Sequence, residues 1–197
     1  MRRGRLQIAL VLLLVSTLVG FMCGVLAREL PRVGVHQGYA PEQPIAFSHR
    51  LHAGDLTVPC LYCHFAARKS RHAGIPPATV CMNCHAIVDK QTAEIEKLRE
   101  FVQQDRPIEW IKVHNLPDFV YFNHSQHVIA GVPCQQCHGR VETMVRVKQQ
   151  EPLTMGWCIQ CHRAGWSPRR DESVVAVAAK HENKTPVASL DCGKCHY

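Results

Sequence analysis

The longest apolar run of the chain extends from Leu6 to Ala27, 22 residues without a charged side chain. As a helix it would span about 33 Å at about 1.5 Å per residue, enough to cross the hydrocarbon of a bilayer. Arg2, Arg3 and Arg5 precede it, a pattern that keeps the N-terminus in the cytoplasm and sends everything after Ala27 to the outer face. A secretory signal cleaved after Val25-Leu26-Ala27 is the alternative. Signal cores are usually about 7–15 residues, so the length favours a retained anchor. Cys23 lies within the run and reads as an inert apolar residue, because Phe21-Met22 is a poor lead into a lipidation site.

Beyond the anchor, periodic patterning is scarce. Residues 31–46, with Pro31, Pro41 and Pro44, read as an extended linker following an anchor over residues 1–30. Ile87, Ile95, Leu98 and Val102 recur at near-helical spacing among Glu, Lys and Gln, which predicts one amphipathic helix over residues 87–104. The β-branched and aromatic segment at 107–122 (PIEWIKVHNLPDFVYF) predicts an extended, strand-like crossing. A polar loop at 163–173 and a short helix over Val174 to Lys180 complete the patterned segments.

The chemistry lies in a motif. Cys-x-x-Cys-His occurs five times, at Cys60/Cys63/His64, Cys81/Cys84/His85, Cys134/Cys137/His138, Cys158/Cys161/His162 and Cys192/Cys195/His196. Each copy offers two thiols for the vinyl groups of a haem and an adjacent imidazole for its iron. With 11 Cys and 13 His in 197 residues, chance would give about 0.04 such motifs, so coincidence is excluded. Zinc cages also use Cys-x-x-Cys arms, but they have no need of a His after every second Cys. Five covalently bound c-type haems are the expected cofactors.

The motifs sit in an internal repeat. FSHRLHAGDLTVPCLYCH (residues 47–64) matches FNHSQHVIAGVPCQQCH (residues 122–138) at Phe-x-His-x-x-His and at Val-Pro-Cys-x-x-Cys-His. A second motif follows in each copy, 21 residues on from Cys60 and 24 on from Cys134. Two dihaem repeats, 47–86 and 122–163, are thus joined in series, and a fifth haem at 192–196 completes a domain over 47–197.

So many cofactors change what a core can be. About 33 residues per haem are too few for an ordinary side-chain core around each. The expected fold is mostly irregular with short α-helices and a haem-stacked core, plus one N-terminal transmembrane helix. The formal charge of +7 would suggest nucleic acid in a cytosolic chain. Here the propionates of five haems bring roughly −5 to −10, so the basic surplus is mostly haem counter-charge and no nucleic-acid partner is expected.

Each iron also needs a sixth ligand. Outside the motifs stand His36, His49, His52, His72, His114, His124, His127 and His181. The pairs His49/His52 and His124/His127 are the foremost candidates, since residues three apart on a helical turn share a face and two imidazoles from one turn can reach two neighbouring irons. For the remaining haem His114 ranks first and His72 second; Met155 or Met144 could instead supply a thioether and raise that haem's potential. His36 and His181 lie in polar sequence and read as surface residues.

Phe-x-His-x-x-His ahead of Cys-x-x-Cys-His resembles the small multihaem class III cytochromes. That resemblance implies that His49 serves the haem at Cys60/Cys63 and His124 the one at Cys134/Cys137. His52 and His127 would then serve the haems at Cys81/Cys84 and Cys158/Cys161. Over residues 45–165, the strings AGIPPATVCMNCH, PIEWIKVHNLPDFVYFNHSQH and EPLTMGWCIQCHR are similar to the membrane-anchored pentahaem subunit of alternative complex III. This resemblance implies an electron carrier, not an enzyme, on the outer face of the bacterial cytoplasmic membrane. Its partners would be an integral quinol-binding subunit, an iron-sulfur subunit and a periplasmic monohaem cytochrome c.

Two other readings stand beside it: a membrane-anchored quinol dehydrogenase cytochrome, and a pentahaem shuttle donating to a periplasmic terminal reductase. Potential ligands outnumber irons, so carbon monoxide is expected to perturb the reduced spectrum little.

Overall fold

The structure, a computed structural model, describes residues 2–30, 34–88, 91–164 and 188–196. The chain divides into two compact units, Met1–His36 and Gln37–Tyr197. The first is dominated by α1 (Arg2–Glu29), whose span Arg3–Glu29 has a mean hydropathy of 2.6 and is long and apolar enough to cross a membrane. None of that span is covered by protein.

The second unit is built from short helices joined by irregular backbone: α2 (Cys60–Cys63), α3 (Ala78–His85), α4 (Ala93–Gln103), α5 (His124–Ile129), α6 (Gln135–His138) and α7 (Met155–Ala164). Among the described residues there is no strand, only an isolated antiparallel bridge between Val120 and His196. Fold and sequence expectation agree: mostly irregular chain with short helices and one apolar N-terminal helix.

The boundaries have local causes. Thr92 accepts a hydrogen bond from the Ile95 amide and caps α4, so the helix begins at Ala93 and not at residue 87 as the apolar spacing alone suggests. The Glu94 carboxylate in its first turn also accepts from the Ala46 amide at 2.6 Å, tying the helix to the preceding segment. Asn123 caps α5 in the same way, accepting from Ser125 at 3.0 Å. Pro59 and Pro77, in extended conformation, immediately precede α2 and α3.

The segment 107–122 is not a strand. At Ile111 the backbone pairs with a side-chain amide: Gln43 Nε2 donates to its carbonyl at 2.9 Å, and its N–H donates to Gln43 Oε1 at 2.8 Å. One glutamine thus does locally what a neighbouring strand would do, while Pro107 and Pro117 have no amide hydrogen to offer a ladder. Val174 to Lys180, expected as a short helix, lies outside the described residues.

Apolar burial is slight. The buried hydrophobic side chains among the described residues are Ile45, Ala67 and Leu98. A unit this size held by side-chain packing alone would bury many more. The buried polar side chains among the described residues are Ser125 and Gln149.

Candidate haem centres

The two copies of Phe-x-His-x-x-His adopt one geometry. His49 and the π-helical turn Arg50–Asp55 put His49 and His52 on one helical face, as α5 does for His124 and His127. Phe47 meets His49 edge-on at 4.9 Å and 89° and stacks on His52 at 4.3 Å and 27°. Phe122 repeats both contacts, at 4.7 Å and 88° on His124 and at 4.6 Å and 29° on His127. The phenylalanine fixes both rotamers. Its place in the repeat was visible in the sequence; its stacking role was not.

Each of these four imidazoles faces the His of a Cys-x-x-Cys-His motif. The ring centroids lie 6.5 Å apart for His49 and His64, 6.1 Å for His52 and His85, 6.3 Å for His124 and His138, and 6.2 Å for His127 and His162. A metal gripped between two imidazole nitrogens needs two bonds of about 2.0–2.1 Å plus a ring radius of about 1.1 Å on either side, about 6.3 Å in all. The four pairs have the spacing of a bis-imidazole site, and beside each stand the two thiols of a motif. The donor set fits haem.

The outer nitrogens are held as ligation requires. His64 Nδ1–H donates to the Gly74 carbonyl at 2.7 Å, His124 to Arg71 at 2.8 Å, His52 to Ser48 at 2.9 Å and His127 to Asn123 at 2.9 Å. His162 donates to Ser189 at 2.8 Å. A ring whose Nδ1 carries the proton leaves Nε2 as a lone pair for iron, and the bond orients it. His49 and His85 have buried Nδ1 atoms without such a partner. These acceptors are backbone carbonyls, so no residue type announced them in the sequence.

Burial keeps His49, His124 and His138 neutral. Burial first, then the nearby His64 and His52, pulls His49 down to about 4. Burial and the neighbouring His114, His124, His64 and His49 pull His138 down to about 3. His124 is lowered as well, chiefly by burial.

His114 stands beside His138. Its centroid is 4.3 Å from that of His138, too close for an atom between them, and its Nε2 lies 3.2 Å from His138 Nδ1. With His138 Nε2 turned to its own site, His138 Nδ1–H donates and His114 accepts. The contact makes His114 a hydrogen-bond partner of the motif histidine. Against His196, among the described residues, stands Phe119, with centroids 5.8 Å apart and planes 28° from parallel.

His72 is exposed, as is Met155 at 63%. Met144 meets the other repeat through its backbone, accepting from the Arg50 amide at 2.9 Å. His36 is exposed, and His181 lies outside the described residues.

A zinc cage finds no support in this geometry. Among the described residues, no three Cys, His, Asp or Glu side chains converge as such a cage requires.

Residues 126–197 match the family described as cytochrome c3. They are cytochrome c3-like. Membership of that family indicates covalently bound c-type haem, which the donor sets described above fit. The chain is also 34% identical, over 98 residues, to the multiheme cytochrome c subunit of menaquinone reductase from Nitratidesulfovibrio vulgaris (strain Hildenborough). The aligned stretch is 49% of this chain and 46% of that protein, so the chain spans about half the length of the curated relative it matches. The chain is thus related to the multiheme cytochrome c subunit of a menaquinone reductase.

Proposed function

We propose that the chain carries electrons through five c-type haems as a subunit of a quinone-linked respiratory complex resembling alternative complex III. In this reading α1 holds it in the cytoplasmic membrane and residues 47–197 form the haem domain on the outer face. The observation that carries the proposal is the set of four imidazole pairs with centroids 6.1–6.5 Å apart. Iron with both axial positions occupied has no place for substrate, and transfer is what such a site does well.

Bound haem supplies reversible one-electron iron chemistry. The chain supplies the rest. Cys60, Cys63, Cys81, Cys84, Cys134, Cys137, Cys158, Cys161, Cys192 and Cys195 anchor the macrocycles. His64, His85, His138, His162 and His196, with His49, His52, His124 and His127 facing the first four of them, would ligate the irons. At His52, His64, His124, His127 and His162 a backbone carbonyl on Nδ1 keeps the orienting proton in place, and no substrate bond is made or broken by the polypeptide.

Partners follow from what a wire needs at its ends: an integral quinone-binding subunit, an iron-sulfur subunit and a periplasmic monohaem cytochrome c. Electrons running from quinol toward the cytochrome is the direction the resemblance to alternative complex III supports. The relative's designation as a menaquinone reductase subunit supports the reverse, toward quinone. The same ligand set serves both, since the end potentials decide the sign.

Purification in mild detergent tests the proposal. Co-migration with a multi-helix quinone-binding protein and an iron-sulfur protein, and five haem equivalents by mass and by the pyridine spectrum, are the expected results. A free monomer would favour a shuttle, and quinol oxidation by the isolated chain would make it a dehydrogenase.

A further inference from the structure

The two dihaem repeats are locked together by a reciprocal exchange. The backbone just after the first motif of one repeat feeds the His-x-x-His turn of the other. In one direction, the Arg71 and Ser70 carbonyls accept from the His124 and Ser125 amides, each at 3.2 Å, and Arg71 also takes His124 Nδ1–H. In the other, the Met144 carbonyl accepts from the Arg50 amide at 2.9 Å, next to His49. The 3-10 turn Phe65–Arg68 packs on α5, and the 3-10 turn Val141–Thr143 packs on the turn Arg50–Asp55. Arg71 closes the junction over the Tyr121 ring at 4.4 Å. An exchange of this kind is an approximate two-fold relation between the repeats.

Resting on the five-haem reading above, we infer that the exchange sets the haems in one unbranched file, in the order 81/84, 60/63, 134/137, 158/161, 192/195. At the centre, the first motifs of the two repeats meet: the Cys60 and Cys134 side chains are in hydrogen-bonding contact, and His138 is close enough to His64 and His49 to feel their charge. Within each repeat, one His-x-x-His turn serves both sites. His49 faces His64 while His52 faces His85, and Tyr62 Oη accepts from Asn83 at 3.2 Å across the two motifs. His124 faces His138 while His127 faces His162, and Cys137 interacts with Cys158 and Cys161.

The last link is made by the backbone leading into the fifth motif. Ser189, three residues before Cys192, holds His162 Nδ1–H at 2.8 Å, and Cys158 interacts with Cys195. The numerical order of the motifs along the chain is therefore not their order in space. The 81/84 and 192/195 haems are the terminal sites, where outside partners exchange electrons. The relay between them has no branch.

Diffraction from crystals of the holoprotein at the iron absorption edge reads the order directly, because each iron is assigned through its own motif. The 60/63 iron should have the 81/84 and 134/137 irons as its two nearest neighbours, and the 158/161 iron should lie between those of 134/137 and 192/195. The file is overturned by a map that follows chain order, with 81/84 next to 134/137, or one that closes a ring through contact of 81/84 with 158/161. The intact mass is measured separately. Five added haems with a different neighbour list would sink the order alone, whereas fewer than five would sink the reading beneath it.

Discussion

The His49 and His64 rings face each other with centroids 6.5 Å apart and planes only 3° from parallel. His124 and His138 repeat the arrangement at 6.3 Å and 10°, whereas His52–His85 and His127–His162 are turned by 63° and 41°. If each pair grips an iron, as proposed, neither ligand position of those four irons would be open. Carbon monoxide, which needs an empty one, should therefore alter the reduced spectrum of at most one haem, the site at His196. Titration of the fully reduced protein should reach an end point at no more than one equivalent. Two or more would mean that the pairs open in solution and that the chain has room for catalysis.

Replacing His52 with Met exchanges a bis-imidazole site for one with a thioether ligand, which raises haem potential. Axial ligands command a range of roughly 0.8 V, so a rise on the order of 100 mV is expected at one haem while the other four stay near their original potentials. A spectroelectrochemical titration measures this. A rise spread evenly over all five, or none, would show that His52 is not bound to iron. Phe47, which stacks on His52, keeps the substituted turn packed.

The His114 contact gives a different signature. Accepting the His138 Nδ1 proton makes that ring a stronger donor and favours ferric iron, so His114→Ala should raise the potential of the 134/137 haem. Losing such an outer-shell partner costs about 10–100-fold in metal affinity, which is a shift of up to roughly 60–120 mV if the ferric state bears it all. His114→Gln, whose side-chain oxygen can also accept, should recover part of the shift. If His114 instead ligated an iron, its removal would open a carbon monoxide site, and the carbon monoxide titration of the variant would expose it.

How legible these centres were follows from what fixes each part. The ten motif cysteines and five motif histidines are fixed by covalent spacing within five residues, which any sequence displays. The His-x-x-His pairs were legible because a helical face is a local property and the repeat printed it twice. His114 was not, because its position depends on how 107–122 crosses the unit. Those sixteen residues are held by Gln43, a residue more than sixty positions away with no helix or strand signal of its own. The carbonyls that orient the imidazoles are likewise silent in a sequence, since every residue has one. The lack of strands among the described residues follows from the same cause as the shortness of the helices after α1. In the proposed reading, haem contact takes the place of a continuous ladder.

Acid should weaken the fold in a definite window. His49 takes a proton only near pH 4 when folded, against its ordinary value of 6.5. Between those values the unfolded chain binds a proton that the folded one refuses, so stability falls as pH falls, levels off below about 4, and does not depend on this group above 6.5. His138, lowered to about 3, extends the same loss further down. Iron competes with the proton for the same lone pair, so bound haem extends the window to lower pH and leaves its upper edge at 6.5. Urea midpoints should decline from pH 7 to pH 4, with low-spin absorption vanishing at the acid end. A midpoint that rose on acidification would contradict neutral, buried imidazoles.

The joint between the repeats can be tested at Gly54. A Cβ built there would collide with the backbone carbonyl of Glu142, on the turn just after the first motif of the other repeat. A long side chain could swing aside; a main-chain oxygen cannot move without dragging Val141–Thr143, which packs on the Gly54 turn. Overpacking of this kind costs about 1–3 kcal/mol, so Gly54→Ala should lower the thermal midpoint by about 2–12 °C for a chain of this size. Its haem content should be unchanged, because Gly54 touches no cysteine thiol. A midpoint within a degree of the parent would mean that the two repeats do not meet at this turn, and the reciprocal junction would lose one of its two sides.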